Sequence, residues 1–250
     1  MLALGGGGAR GLAHVGVLEV IEEAGIPVAG IAGTSAGAVV GAMWLTLGSA
    51  AAVAQRWREF LAGGLFPHLP DVRLTDTVTS RDNLLLHFAR RLRRGAVVAL
   101  ALGRTSLVSH EEFEKRLAFL FPDVQIQKLR LPFAAVATDF ETGRPVALRR
   151  GRLLTAVAAS GAVPAVVLPY TLDGRALIDG GTVADVPVAQ ARELAPRPVV
   201  AVEVGEGWPD EDPETITLPR AMVRGANMTH EALRGLQVRD ADLVIAPEVG

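Results

Sequence analysis

The first 47 residues of this chain constrain its fold more than any other stretch. Leu2 to Leu4 reads as a short strand, and Gly5 to Gly8 as a loop. A helix is expected through "GLAHVGVLEVIEEAG", where Leu12, Val15, Leu18 and Ile21 recur every three residues as one apolar stripe. Gly25 and Pro27 end it. "VAGIAG" reads as a second strand and "SAGAVVGAMWLTLG" as the next helix. A helical connection between two strands implies a parallel pair with a right-handed crossover. The loops that follow both strands then open on one edge of the sheet, roughly 4.8 Å apart if the strands are neighbours. Ligands settle at that edge in open α/β sheets. A chain of 250 residues suffices for one large α/β domain with its own core.

Both loops carry residues suited to chemistry. "GTSAG", residues 33 to 37, boxes Ser35 between Gly33 and Gly37. Glycines there permit a sharp strand-to-helix turn that lifts the serine above the sheet. The helix that follows directs free N–H groups and its positive end toward the site. The plain alternative is a helix start with small residues for close packing. The earlier loop, "GGGGARG", satisfies Gly-x-Gly-x-x-Gly through Gly6, Gly8 and Gly11. A dinucleotide site of an oxidoreductase is therefore a rival, but it needs an acidic residue about 20 positions on, after the second strand. Glu19, Glu22 and Glu23 fall inside the helix, and the second strand ends in Gly33-Thr34-Ser35. No Gly-Lys-Ser/Thr follows, so a phosphate-binding P-loop fails as well. An oxyanion hole fits the loop better, because glycine amides approach an acyl oxygen closely. One such donor is worth about 3 to 4 kcal/mol of barrier in a serine protease. Arg10 either braces this loop, meets an anionic head group, or forms a surface ion pair.

A serine hydroxyl needs a base, and the sequence leaves several open. The chain has no cysteine, which excludes disulfides, thiol catalysis and cysteine-held metals. An α/β-hydrolase would place several strands before its serine and an acid and a histidine after it, so position 35 is too early. His14 lies on the first helix, off its apolar stripe and near the glycine loop. His68, His87, His110 and His230 lie where solvated or packing roles are expected. A carboxylate is the alternative. "LIDGG" places Asp179 at a strand end before Gly180 and Gly181, which leave room for another loop to pack. Burial would raise its pKa from near 3.9 toward a useful value. Asp-Gly is also a common turn pair, and Asp139, ending "VATD", is the second candidate acid.

The remaining chain reads more coarsely. Residues 50 to 128 are expected to be mostly helical, with helices at Ala50 to Ala62 and Arg81 to Arg94, a loop at "GGLFPHLPD", and a capping box opening at Ser109 with Glu112. This stretch is expected to form a lid or a substrate-side wall. "PFAAVATDF" and "RPVAL" read as a hairpin about "ETG", and "VVLPYTLDGRALIDGG" as another turning at Asp173-Gly174. Val199 to Val204 and Leu243 to Ala246 read as buried strands. The net charge of −2 offers nothing to nucleic acid. The start "MLALGGGGARG" has no secretory pattern, and apolar runs such as Ala96 to Leu102 fall short of the roughly 20 residues that span a bilayer. A cytoplasmic protein is expected, with contact at a membrane surface left open.

Taken in order, "GGGGARG", "GTSAG" and "DGG" resemble the patatin-like phospholipase family, particularly its compact bacterial members. The resemblance extends to "GLAHVGVLEVIEEAGIPV", "LPFAAVATDFETG", "AASGAVPAVVLP" and "VADVPVAQARELA". It implies a single domain over residues 1 to 250, a three-layer α/β/α sandwich with a mostly parallel central sheet, and a Ser-Asp dyad without histidine, metal or cofactor. By that resemblance Ser35 is the nucleophile, Asp179 the base, and Gly6, Gly7 and Gly8 with Arg10 the oxyanion hole. The implied substrates are acyl esters of phospholipids, lysophospholipids or neutral lipids. "ASGAVP" departs mildly from the family's pattern at its small polar position and is expected to line the site at most. A non-catalytic lipid-binding adaptor on the same scaffold is the other class left open.

Overall fold

A computed structural model describes residues 1–63, 106–205 and 218–248. The expected helix Arg81 to Arg94, the run Ala96 to Leu102, His68, His87 and most of "GGLFPHLPD" lie outside the described residues. Eight strands form one mixed sheet: β1 (Leu2–Leu4), β2 (Ile31–Thr34), β3 (Phe133–Asp139), β4 (Pro145–Leu148), β5 (Tyr170–Leu172), β6 (Arg175–Asp179), β7 (Val200–Val202) and β8 (Leu243–Ile245). The order is β5-β6-β3-β2-β1-β7-β8, with β4 also paired to β3. The run from β3 through β2, β1 and β7 to β8 is parallel; β4, β5 and β6 pair antiparallel. Both expected hairpins form. The β5–β6 turn places Asp173 and Gly174 at φ 50° and 74°, the left-handed pair that a two-residue hairpin requires.

Two sets of side chains separate the faces of the sheet. Leu2, Leu4, Ile31 and Phe133 point to one face and belong to the larger core. That core also receives α1 (Ala13–Glu23), α2 (Ala36–Leu47), α3 (Ala50–Ala62), α4 (His110–Leu120) and α5 (Leu153–Ser160). Ala3, Ala32, Ala134 and Ala201, their neighbours in sequence, point the other way and pack with Val188 and Ala191 of α6 (Val188–Leu194). Alternation with period two sorts large residues from small, so one face carries thick helical cover and the other a close layer. Each fully buried Leu, Ile or Phe on the thick face contributes about 1.5–3 kcal/mol. The architecture is a three-layer α/β/α sandwich with a mostly parallel sheet.

Helix ends follow the sequence closely. Gly25, at φ 63°, ends α1, and the Ile26 N–H donates back to the Ile21 carbonyl. Ser49 caps α3 by accepting from Ala52 N–H at 3.2 Å, and Ser109 caps α4 through Glu112 N–H at 3.2 Å. Two expectations need correction. Leu12 sits in the turn before α1 and is largely exposed, whereas His14, expected off the stripe, is fully buried. Leu243 and Val244 are exposed because β8 is an edge strand with one neighbour. A last helix, α7 (Leu218–Gln237), precedes β8. Among the described residues no single helix is long and apolar enough to cross a membrane.

The sheet contains one unusual juncture. β4 and β6 both pair with Ala137 and Thr138, so they occupy opposite edges of β3. β2 and β4 both pair with Ala135 and Val136, so they too are on opposite edges. β2 and β6 therefore share one edge of β3, tip to tip. Thr34 stands opposite Val136, and Asp179 stands opposite the next residue, Ala137. Backbone pairing alone thus brings the carboxyl end of β2 to the carboxyl end of β6.

Candidate active site

Ser35 occupies the turn between β2 and α2 with φ 50° and ψ −118°. A non-glycine residue there carries strain of about 1–3 kcal/mol. Three contacts hold it. The Ser35 N–H donates to Ser160 Oγ at 2.9 Å, the Ser160 hydroxyl donates to the Val136 carbonyl at 2.6 Å, and the Ser35 carbonyl accepts the Val39 N–H at 3.1 Å. Gly37 lies so near β1 that a Cβ there would overlap the Leu4 carbonyl, and a Cβ on Gly33 would come within 2.6 Å of Ala38 N. The flanking glycines are therefore required by close approach of backbones. The Ser35 hydroxyl does not cap α2, so the helix leaves it available.

Asp179 ends β6 and caps the short turn Gly180–Thr182, its Oδ1 accepting the Gly181 N–H at 2.7 Å. Gly180 is pressed against the sheet, where a Cβ would overlap the Val136 carbonyl. The carboxylate is 6% exposed, and its pKa is pushed up to about 6. Burial is the main cause; the Ser35 hydroxyl and the Gly181 amide pull it back, Asp185 pushes it up, and His230 pulls it down. Ser35 and Asp179 thus line one cavity, and the Ser35 hydroxyl acts on the Asp179 carboxyl, across 144 residues of sequence separation.

The glycine loop completes the floor. Gly7 and Gly8 adopt φ 152° and 56°. The Gly6 N–H is committed to the Asp185 carbonyl at 3.0 Å. The N–H groups of Gly7 and Gly8 have no protein acceptor among the described residues. Arg10 lies in the following turn, its N–H donating to the Gly7 carbonyl at 3.1 Å, and is not among the residues lining the cavity. His14 stands behind the loop. Its Nε2–H donates to the Gly5 carbonyl at 2.8 Å, and burial lowers its pKa to about 4, so it braces the loop as a neutral ring. Asp139 is likewise elsewhere, with Oδ1 accepting the Glu141 and Thr142 N–H groups at 3.0 Å each to cap a turn.

These groups open into a cavity of about 350 Å³. Gly6, Gly7, Gly8, Ser35, Asp179 and Gly181 form its floor, and Val163, Pro164 and Val204 supply apolar wall. The opposite wall is polar and comes largely from α7, through Asn227, His230, Glu231 and Arg234. Asp185 Oδ2 lies 3.1 Å from His230 Nε2 and 3.9 Å from Arg234, whose Nε lies 2.7 Å from Glu203. Neither this charged wall nor Ser160 bracing Ser35 has a local signature along the chain. "ASGAVP" does line the site, through Val163 and Pro164, but its serine also holds the elbow. Among the described residues no group of three or more His, Asp or Glu is arranged to hold a metal ion.

The chain is similar to known proteins over most of its length. Residues 2–192 match the family model of the patatin-like phospholipase. An uncharacterized NTE family protein of Mycobacterium tuberculosis is 32% identical over 218 residues, which is 85% of this chain and 51% of that protein. The human patatin-like phospholipase domain-containing protein 6 is 33% identical over 82% of this chain and 13% of its own length. The Drosophila melanogaster neuropathy target esterase sws is 32% identical over the same shares. This chain thus spans about half or less of the curated relatives it matches. Among solved structures, VipD from Legionella pneumophila has a TM-score of 0.43 and 17% identity, over 84% of this chain and 50% of that one. A family model covering most of the chain, with relatives above 30% identity across its length, shows that this chain belongs to the patatin-like phospholipase family.

Proposed function

We propose that the protein is a serine acyl hydrolase that cleaves acyl esters of phospholipids or lysophospholipids through Ser35 and Asp179. One observation carries the reading: a strained, uncapped serine hydroxyl acts on a buried carboxylate whose pKa stands near 6, beside unengaged glycine amides. Asp179 takes the Ser35 proton as the hydroxyl attacks the ester carbonyl. A carboxylate near pKa 6 is a far better base at neutral pH than one near 4. The Gly7 and Gly8 amides receive the oxyanion, and the amino end of α2 adds its positive potential. Gly6, its N–H already engaged, shapes the loop, and Arg10 braces it from outside. The leaving alcohol takes the proton from Asp179, an acyl-Ser35 forms, and Asp179 then draws a proton from water to release the fatty acid. The apolar wall at Val163, Pro164 and Val204 suits an acyl chain. That relatives are a patatin-like phospholipase domain-containing protein and an esterase supports an ester-hydrolase reading.

The test is hydrolysis of p-nitrophenyl acyl esters and of lysophospholipid by the parent, Ser35→Ala and Asp179→Asn, with fluorophosphonate labelling alongside. The expected result is turnover and labelling in the parent, with turnover lost in both variants and labelling lost in Ser35→Ala. Lipid binding without turnover in the parent would make the protein a non-catalytic adaptor. Full activity in Asp179→Asn would remove the dyad.

A further inference from the structure

Asp185 adjoins the glycine loop, the Asp179 turn and the α7 wall, yet the hydrolase mechanism does not use it. Its carbonyl fixes the Gly6 N–H at 3.0 Å. Its Oδ1 fills the space beside Gly6, where a Cβ would come within 2.5 Å of it, and lies 3.4 Å from where a Gly181 Cβ would stand. Its Oδ2 faces His230 at 3.1 Å and Arg234 at 3.9 Å. The segment that carries it is threaded in tightly: Thr34 Oγ1 donates to the Ala184 carbonyl at 2.7 Å, and the Ala184 N–H donates to the Gly180 carbonyl at 2.8 Å. The residue is 6% exposed. A buried carboxylate is costly unless paired, and His230 and Arg234 supply the partners here.

We propose that Asp185 is a positioning residue for the Ser35–Asp179 pair: its main-chain carbonyl fixes the glycine loop, and its carboxylate, wedged between that loop, the Asp179 turn and His230, sets the charge against which the pair works. The inference rests on the hydrolase reading and deepens it. The charged and titratable groups facing this cluster are Asp179 from β6, Glu203 beyond β7, His230, Glu231 and Arg234 from α7, and His14 behind the glycine loop. Asp185 raises the proton affinity of Asp179, and its pairing with His230 raises that of His230 in turn. His230 acts on Asp179 with the opposite sign and more weakly than Asp185. Removing either partner therefore has a signed consequence. Without the Asp185 charge, Asp179 deprotonates at lower pH. Without the His230 charge, it deprotonates at higher pH.

The test is the pH profile of kcat/KM on a p-nitrophenyl ester for the parent, Asp185→Asn and His230→Gln, with NMR titration of His230 in the parent and in Asp185→Asn. The acid limb is expected to move down by about half a pH unit in Asp185→Asn and up by less in His230→Gln. His230 is expected to titrate lower in Asp185→Asn. A purely structural Asp185 would lower kcat and the melting temperature and leave both acid limbs with the parent; that result overturns the proposal. If Asp185→Asn does not fold, Asp185→Ser takes its place: a downward shift of the acid limb supports the proposal and an unmoved limb overturns it. If the parent shows no turnover, the hydrolase reading fails by itself. The His230 titration then still decides whether Asp185 sets the charge of the cluster, a fall supporting it and an unchanged value overturning it.

Discussion

The floor and the α7 wall of the cavity are held by different forces. The floor is backbone: β2 and β6 meet on one edge of β3, and Gly37 and Gly180 bring main chains into contact. Main-chain amides and carbonyls make most of its contacts, so its geometry depends less on pH and salt than that of the wall. The wall is charge: Asp185, Glu203, His230 and Arg234 pair across three separate segments. Its strength depends on protonation and on burial. The site thus combines a rigid cradle with an adjustable field. Reaction geometry belongs to the first, and proton affinity to the second.

Four experiments bear on that contrast. Ser35→Ala is expected to reduce turnover by on the order of 10⁴-fold or more, since nucleophile and base act as a unit. Circular dichroism should show the fold intact, because the hydroxyl caps nothing. Gly37→Val strikes the floor itself. The new side chain would collide with the Leu4 carbonyl, and insoluble protein or a stability loss above about 4 kcal/mol is expected in denaturant melts. A soluble, stable variant would show that the floor yields more than its contacts imply.

Asp179→Asn separates function from stability. The carboxyl's folded pKa, about 6, lies above its ordinary 3.8. A raised carboxylate binds protons more readily in the native state, so it costs stability when ionised. That cost is full above about pH 6, relaxes as pH falls through 6, and is gone below 3.8. The variant should therefore be inactive yet more stable, by about 3 kcal/mol at pH 8, with the gain vanishing in acid. The smallest expected effect is in the wall. Glu203→Gln leaves the Arg234 guanidinium buried with a weaker partner and should cost about 1–3 kcal/mol, visible as a lower melting temperature. His230 has the opposite sign to Asp179. Its raised pKa means that its pairing with Asp185 contributes fully below 6.5 and is lost as pH rises through the folded value.

Which parts were legible follows the same division. Glycine runs, alternation and capping serines are local signals, so the first two strands, both hairpins, the Ser109 cap and the Ser35 elbow were all readable. Asp179 is readable as a strand-end acid, but spacing alone leaves it level with a turn aspartate, with Asp139 as the second candidate. His14 departs from the pattern, because the close packing of α1 behind the glycine loop buries a position that helical periodicity places off the stripe. β8 departs for a related reason. Its residues are as apolar as those of a central strand, and only its place at the edge exposes them.

By itself the sequence determined the αβ class, the positions that can turn sharply, and a short roster of acids and hydroxyls, because backbone conformation and amphipathic period depend on neighbours a few residues away. Residue patterns alone left the acid open and the family resemblance points to Asp179; tertiary structure supplies the physical reason, since β2 and β6 share one edge of β3 and bring those two strand ends together. Tertiary structure alone brought Asp185, Glu203, His230 and Arg234 together. Electrostatic partnership is a matter of distance through space, and no pattern along the chain records it.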